Sequence, residues 1–421
     1  MNNQDRLPHV LPEMLTPDFW TNRLSSPSSL LLTPQEIQTF NQMIRQRLPE
    51  KVVDLASYPR EIDGNTLFTW LSQIPFPAKA YDASGRPLSV TFLNKLKENI
   101  NLANLPGQIT VTYGATVHHS DLRFFPTDQP AFTAPNDTRF DRWQATAVNP
   151  GEPLLILHQS LDAQWFYVQT EYYRGWIPAR YLTRFSSQSD WLSYLHHSPF
   201  LTVIGPGLEL TIPSESGSKT LRFEMGAKIR IRPISGFSQN YLGFVPTDEN
   251  RMPLTFPIAT SPDLIFGYLP YTEDHLFRQT FKMLGQPYGW GGLDLHPDCS
   301  SFIRNLYRCF GFNLPRDSRD QAQCSPKTVL LSHLPPNQKS KVLSALPAGT
   351  LLHLDGHIMV YLGTSGQRHY VIHALSAYQK PGHRRCPQNI YLMAVTISDL
   401  SLRRLDGQTL LNALTSAILL R

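Results

Sequence analysis

The sequence predicts an α+β chain of several units: a helical amino-terminal region, two small β-barrels, and a carboxy-terminal unit in which a helix precedes a sheet. Three observations carry this. The 421 residues exceed what one hydrophobic core serves and suffice for three or four units of ordinary size. Proline is high at 35 residues, about 8% against a usual value near 5%, which suits short strands and turns over long helices. Helical periodicity is confined to the two ends, and the middle reads as short alternating runs.

In residues 1–106, Thr33-Pro34-Gln35-Glu36 is a capping box with proline at the first helical position, followed by Ile37, Phe40, Met43, Ile44 and Leu48 at helical spacing. A second helix follows Ser89, with Phe92, Leu93, Leu96 and Ile100 on one face. Prolines and polar residues separate these pieces, so the region is expected to lie along the other units without a core of its own. Strand runs begin near Gly107: Ile109–Thr112, Leu154–Leu157, Trp165–Val168 and Gly175–Ile177. A second set follows, with Leu208–Leu210, Lys228–Ile231 and Phe266–Tyr268. These give two barrels, over 107–188 and 189–270. In 271–421, Phe302, Ile303, Leu306 and Phe310 mark a helix that Gly311 ends, and strands are expected at 350–354, 358–362, 370–372 and 390–395.

Composition narrows the function. Hydrophobic residues at 41% and charged residues at 17% exclude fibrous and disordered classes. The net charge is +5, but no run of Lys and Arg exceeds two residues, so no nucleic-acid partner is expected. No apolar run approaches the roughly 18 residues of a membrane span, and a soluble monomer is expected. Residues 1–20 show neither a basic start nor an apolar stretch. The protein is expected outside the cytoplasm if a signal has been removed, and in the cytoplasm otherwise. Cys299, Cys309, Cys324 and Cys386 include no pair at metal-ligand spacing, so neither zinc nor a disulfide scaffold is expected, and one of the four is a candidate for chemistry.

That candidate is Cys299. It follows Tyr288-Gly289-Trp290-Gly291-Gly292 and sits in Asp298-Cys299-Ser300-Ser301 at a helix start, where free N–H groups and the macrodipole favour a thiolate and predict a depressed pKa. A nucleophilic thiol needs a base and a group to orient it. His357, before Ile358-Met359-Val360-Tyr361, and His373, ending Tyr370-Val371-Ile372, can stand side by side on neighbouring strands. Taken singly, a helical cysteine is more often a small buried residue and a strand histidine more often structural. Their joint pattern favours catalysis.

These residues resemble the NlpC/P60 cysteine peptidases. The matching pieces are Tyr288 to Gly292, Asp298-Cys299-Ser300, Leu314-Pro315-Arg316-Asp317-Ser318 with Gln321, His357 before Ile-Met-Val-Tyr-Leu-Gly, and Val371-Ile372-His373-Ala374. The resemblance is strong over residues 271–395 and implies a reduced papain-like fold there. Leu122–Thr127 and Gly151 to Ile177 resemble the first of two bacterial SH3-like domains that precede this domain in one branch of the family. It implies Cys299 as nucleophile, His357 as base, His373 as its orienting partner, and Tyr288 near the oxyanion. In that branch the substrates are peptidoglycan stem peptides or muropeptides with a free amino terminus, cut after γ-D-glutamate without metal or cofactor. The amine contacts map onto Asp298, Ser300 and Ser318. Asp298 has an equally good reading as the N-cap of its helix. The first SH3-like unit is expected to close the amine end of the groove, with Tyr172, Tyr173 and Asp141 as wall candidates. Aromatic side chains filling a small barrel are the plainer account of each tyrosine.

Ser301 departs from the glycine usual in Asp-Cys-Ser-Gly, a change that a small residue at a helix start accommodates. His296 reads as a solvated loop residue, His353 as facing away, and Cys309 as core. Two other functions share these features: a wall-binding protein with a vestigial catalytic unit, and a papain-like acyltransferase. The first would lack the cysteine or a histidine, and the second would be revealed by products formed with added amine.

Overall fold

The computed structural model describes residues 7–77, 79–214, 217–233, 241–246, 253–380 and 387–421; Cys386 lies outside the described residues. Both predicted amino-terminal helices form. Pro34–Arg47 is capped by Thr33, which donates its backbone N–H to Glu36 at 2.7 Å, and Val90–Asn99 is capped by Ser89. A third helix, Gly64–Ser72, is capped by Asp63.

These helices divide between two partners. Leu7, Val10, Met14, Trp20, Ile37, Ile44 and Val52 belong to the core of the carboxy-terminal unit. Leu55, Leu67, Leu71, Leu96 and Ile100 instead cover the outer face of the first sheet. That sheet has seven strands, in the order 182–184, 112–116, 153–159, 165–169, 174–178, 120–123, 144–148. Both its faces are buried, which explains the continuous apolar runs. Leu155, Leu157, Trp165 and Tyr167 meet the amino-terminal helices, and Leu154, Ile156, Phe166 and Val168 fill the inside.

The expectation of closed barrels is corrected. In the seven-stranded sheet the end strands 182–184 and 144–148 are not paired with each other. In the second unit five strands run in the order 254–258, 241–245, 228–233, 200–203, 264–266, and the hairpin 207–224 stands as a separate two-stranded sheet. The helix Gln188–Leu195, assigned by sequence to the second unit, packs on the first sheet: Trp191 is fully buried there and donates to the Gly114 carbonyl at 3.0 Å.

In the carboxy-terminal unit an antiparallel six-stranded sheet has the order 328–330, 414–418, 351–354, 357–365, 368–375, 394–399. The helix Cys299–Arg308 lies against its two strands 357–365 and 368–375, with every residue from Cys299 to Tyr307 buried. The predicted strand 390–395 is two strands, 388–390 and 394–399, separated by a left-handed turn at Met393 (φ 50°).

Candidate active site

The start of the helix Cys299–Arg308 is set by a reciprocal cap. Asp298 accepts from the Ser301 N–H at 2.8 Å, and the Ser301 hydroxyl accepts from the Asp298 N–H at 2.9 Å. Cys299 is therefore the first helical residue. Serine in place of glycine at 301 closes this cap.

The register pairing Val360 with Ile372 and Tyr361 with Val371 puts His357 and His373 on one face of the sheet. Their rings join through His357 Nε2 and His373 Nδ1 at 2.7 Å. The next strand adds a residue that the sequence did not single out. Ser398, paired with Val371 and wholly buried, places its hydroxyl 3.1 Å from His373 Nε2. The chain fixes the tautomers: if His357 Nδ1 keeps a lone pair for the thiol, Nε2–H donates to His373 Nδ1, and His373 Nε2–H donates to Ser398. Cys299 lies by the first residues of the same strand, where the Ile358 N–H favours its anion.

The expected depression of the thiol pKa is not found. Burial first, then the Asp298 carboxylate, push Cys299 up to about 12, against the weaker pull of Ile358 N–H, Arg316 and Ser300 N–H. Burial, reinforced by Arg404 and His353, lowers His357 to about 4, and burial with His357 takes His373 well below its ordinary value. At rest these directions favour a neutral thiol at the helix start and two neutral imidazoles bonded to each other. Burial also holds the Tyr288 hydroxyl protonated, with Cys299 and Asp298 adding to the effect. The Tyr288 backbone N–H is fixed on the Met393 carbonyl at 2.9 Å, next to the left-handed turn.

The other side of Cys299 is ionic. Arg316 grips Asp298 with both Nη atoms, at 2.6 and 3.1 Å, donates to Ser300 Oγ at 2.8 Å, and reaches Thr146 on the first sheet at 2.7 Å. Asp298 also accepts from Gly291 N–H and Ser300 Oγ. Burial alone would raise its carboxyl; Arg316 overrides this and holds it below the ordinary range. Both sequence readings of Asp298 thus meet a carboxylate that is a cap and an ion-pair partner at once. Asp317 differs. Its carboxylate accepts no hydrogen bond among the described residues, and burial raises its pKa, with Asp320 and Asp298 adding to the effect and Arg316 opposing it. Ser318, the first residue of the short helix 318–321, likewise has a hydroxyl without a partner among the described residues.

Asp317 lines a cavity of about 500 Å³ with Tyr172, Tyr173, Arg316 and Arg142, and with Lys51, Trp70 and Pro75 from the amino-terminal region. Tyr173 faces it beside Asp317. Tyr172 contributes its ring, because its hydroxyl donates to the Ala147 carbonyl at 3.1 Å and Arg304 stacks on it at 3.2 Å. Asp141 does not face the groove. It is 4% exposed, paired with Arg123 at 2.8 Å, and accepts from the Ala131 and Trp143 N–H groups, because the turn at 129–143 folds around it. The first sheet reaches the site through two glycines. Gly291 (φ 64°) and Gly292 (φ 81°) take left-handed conformations, and a Cβ on either would meet Gln144 at 2.5 Å or Ala147 at 2.9 Å.

Of the remaining residues, Cys309 is fully buried at the far end of the helix, and His353 is bonded to Thr415 at 2.8 Å. His296 is half-buried with no ring hydrogen bond among the described residues. Among the described residues no group of His, Cys, Asp and Glu could hold a metal ion, and no helix is long and apolar enough to cross a membrane.

Residues 285–401 match the NlpC/P60 family, and residues 130–178 match an SH3 domain of the SH3b1 type. A γ-D-glutamyl-L-lysine dipeptidyl-peptidase of Bacillus cereus (strain ATCC 10987 / NRS 248) is 28% identical over 166 residues, 36% of this chain and 44% of the relative, so the chain spans less than half of that protein's length. In solved structures the chain is similar to an NlpC/P60 endopeptidase from Photobacterium damselae subsp. piscicida, with a TM-score of 0.75 at 18% identity over 94% of both chains. It is also similar to an NlpC/P60 family protein from Bacillus cereus ATCC 10987, with a TM-score of 0.51 at 19% identity over 73% of this chain and 99% of that one. Both likenesses show the fold. The chain contains an NlpC/P60 domain and an SH3b domain.

Proposed function

On the premise of that NlpC/P60 domain, we propose that the protein is a cysteine peptidase acting on peptidoglycan stem peptides, cutting the bond between γ-D-glutamate and the following diamino acid when the preceding L-alanine has a free amino terminus. The curated relative's name supports the substrate class. The observation that carries the finer reading is the unbonded Asp317 carboxylate in a cavity that also holds Arg316, the partner of the residue preceding the nucleophile. A half-buried carboxylate without a partner fits an incoming ammonium; Tyr173 lines the same cavity, and Ser318, the next residue in the chain, has a hydroxyl without a partner among the described residues. Asp298 and Ser300 then act one step removed, by holding Arg316 and the helix start.

In this mechanism the thiol proton passes to His357 Nδ1 as Sγ attacks the γ-carbonyl. The developing oxyanion meets the Cys299 N–H at the open first turn and the Tyr288 hydroxyl, which burial keeps as a donor. His373 accepts from the His357 imidazolium and Ser398 anchors His373, so the charge forms inside an existing hydrogen-bond chain. The imidazolium protonates the leaving amine. Water, deprotonated by His357, then cleaves the thioester.

For the chain we propose four units, near residues 1–106, 107–188, 189–270 and 271–421, with the second boundary moved beyond the helix that ends at Leu195. Mass spectrometry of L-Ala-γ-D-Glu-diamino acid incubated with the protein tests the function. The expected products are L-Ala-γ-D-Glu and the free diamino acid; cleavage at another bond, or none, overturns the reading.

A further inference from the structure

An alanyl-γ-glutamyl group carries two charges. Because its peptide link runs through the γ-carbonyl, the α-carboxylate of the glutamyl residue remains free. A cavity that reads the group therefore needs a cation as well as an acid. Four basic residues line this one: Lys51, Arg142, Arg174 and Arg316. Three have acidic partners, since Lys51 pairs with Asp320 at 3.4 Å, Arg174 with Glu50 at 3.9 Å, and Arg316 with Asp298.

Arg142 is different. Its guanidinium makes no ion pair and no hydrogen bond among the described residues, yet its place is set. It lies over the Trp290 ring at 5.1 Å and over Phe140 at 5.6 Å. Phe140 in turn packs edge-on against Trp290 at 5.5 Å and Tyr288 at 6.5 Å. Cation–π contact places a guanidinium without using its N–H groups, which remain available to donate to a carboxylate. Asp137, an acid in the same loop, is already bonded to Arg139 at 2.7 Å. Arg142 thus stands near Tyr288, through the Phe140 ring they share, and lines the same cavity as Asp317.

Building on the function proposed above, we propose that Arg142 binds the free α-carboxylate of the γ-linked glutamyl residue, so that the SH3b domain selects D-glutamate over its α-amide, D-isoglutamine, next to the scissile bond.

The test separates binding from cleavage. Calorimetry on Cys299→Ala protein would measure L-Ala-γ-D-Glu and its α-amide, with and without Arg142→Gln. We expect the carboxylate form to bind about tenfold more tightly, as one charge-assisted contact allows, and Arg142→Gln to erase the difference. No preference in the parent protein, a preference that survives Arg142→Gln, or equal weakening of both ligands would each overturn the proposal. If the dipeptides show the Arg142-dependent preference while the intact protein fails to cut the tripeptide, the cleavage reading fails and the carboxylate site stands.

Discussion

The two ends of the helix Cys299–Arg308 meet different β units, and the contrast separates function from support. At its start the SH3b domain comes close through Gly291, Gly292 and the Arg316–Thr146 bond, and the side chains there have unused polar atoms, as at Asp317, Ser318 and Arg142. At its end the second unit packs just as closely. A Cβ on Gly226 (φ 76°) would meet the Asn305 carbonyl at 2.5 Å, and Cys309 donates to the Val203 carbonyl at 3.7 Å. The first unit reaches this end as well: Glu152, just before its strand 153–159, lies 3.9 Å from Arg304 and 3.8 Å from Arg308. Equal intimacy therefore does not imply equal roles. Near the start of the helix Asp317 and Arg142 stand in a cavity, unpaired among the described residues, whereas at the other end Gly226 and Val203 of the second unit pack closely on the chain.

The largest test of this contrast uses the two thiols. Cys299→Ala should abolish hydrolysis with the fold intact, and Cys309→Ala should keep most of it; substantial turnover by purified Cys299→Ala protein would remove the proposed nucleophile. Next come the imidazoles. His357→Ala should cost about a thousandfold in kcat, by loss of proton transfer, and His373→Gln only about tenfold, because an amide can still hold His357. Equal losses, with unchanged alkylation of Cys299, would reject this division of roles.

The pH profile sharpens the same point. His357 must be neutral to act and its folded pKa is about 4, so the acid limb of kcat/KM should fall near pH 4 and not near 6.5. Its depressed pKa also means that the stability it contributes is present above about pH 6.5 and is lost as pH falls through about 4. On the alkaline side, activity should decline above about pH 8 as the substrate amine deprotonates.

Smaller still is the effect of the amine. N-acetylating the substrate should lower kcat/KM roughly a hundredfold, because the half-buried Asp317 carboxylate is then denied its ammonium partner. Asp317→Asn should shrink that discrimination while leaving alkylation of Cys299 unchanged; an undiminished preference would shift the amine contact elsewhere. Last, Gly226→Ala at the supporting end should lower stability by about 1–3 kcal/mol, seen as a lower Tm, with substrate preference unaltered. A changed preference would erase the distinction between the two ends.

The residues visible in the sequence were those whose signal is local. The cap at Thr33, the helix after Asp298 and the strands bearing His357 and His373 follow from spacing within a few residues. What escaped depends on distant pairing. Ser398 matters only because its strand lies next to that of His373, and the strand 414–418 enters the middle of the sheet, between 328–330 and 351–354. Asp298 and Asp317 look alike as residues; the Arg316 fork, eighteen positions from one and adjacent to the other, chooses Asp298 and leaves Asp317 open. Asp141 follows the same rule, since its carboxylate is claimed by Arg123, eighteen positions away. The local helix start favours a thiolate, and burial of Cys299, which no local pattern shows, outweighs it.

The division of the amino-terminal region also governs the order of assembly. Residues 7–52 share a core with a unit that begins near residue 271, and the Tyr370 hydroxyl closes on the His9 carbonyl at 2.8 Å. On the ribosome, Ile44 and Trp20 emerge long before the carboxy-terminal part of the core they share. At about 5–20 residues per second, the interval from residue 52 to residue 271 is roughly 10–45 s, during which that apolar face has no partner in its own chain. The SH3b domain, by contrast, finds its helices 53–106 already made. Synthesis thus completes the SH3b half of the molecule first, and the NlpC/P60 core closes only when the last strands arrive to meet the first helices.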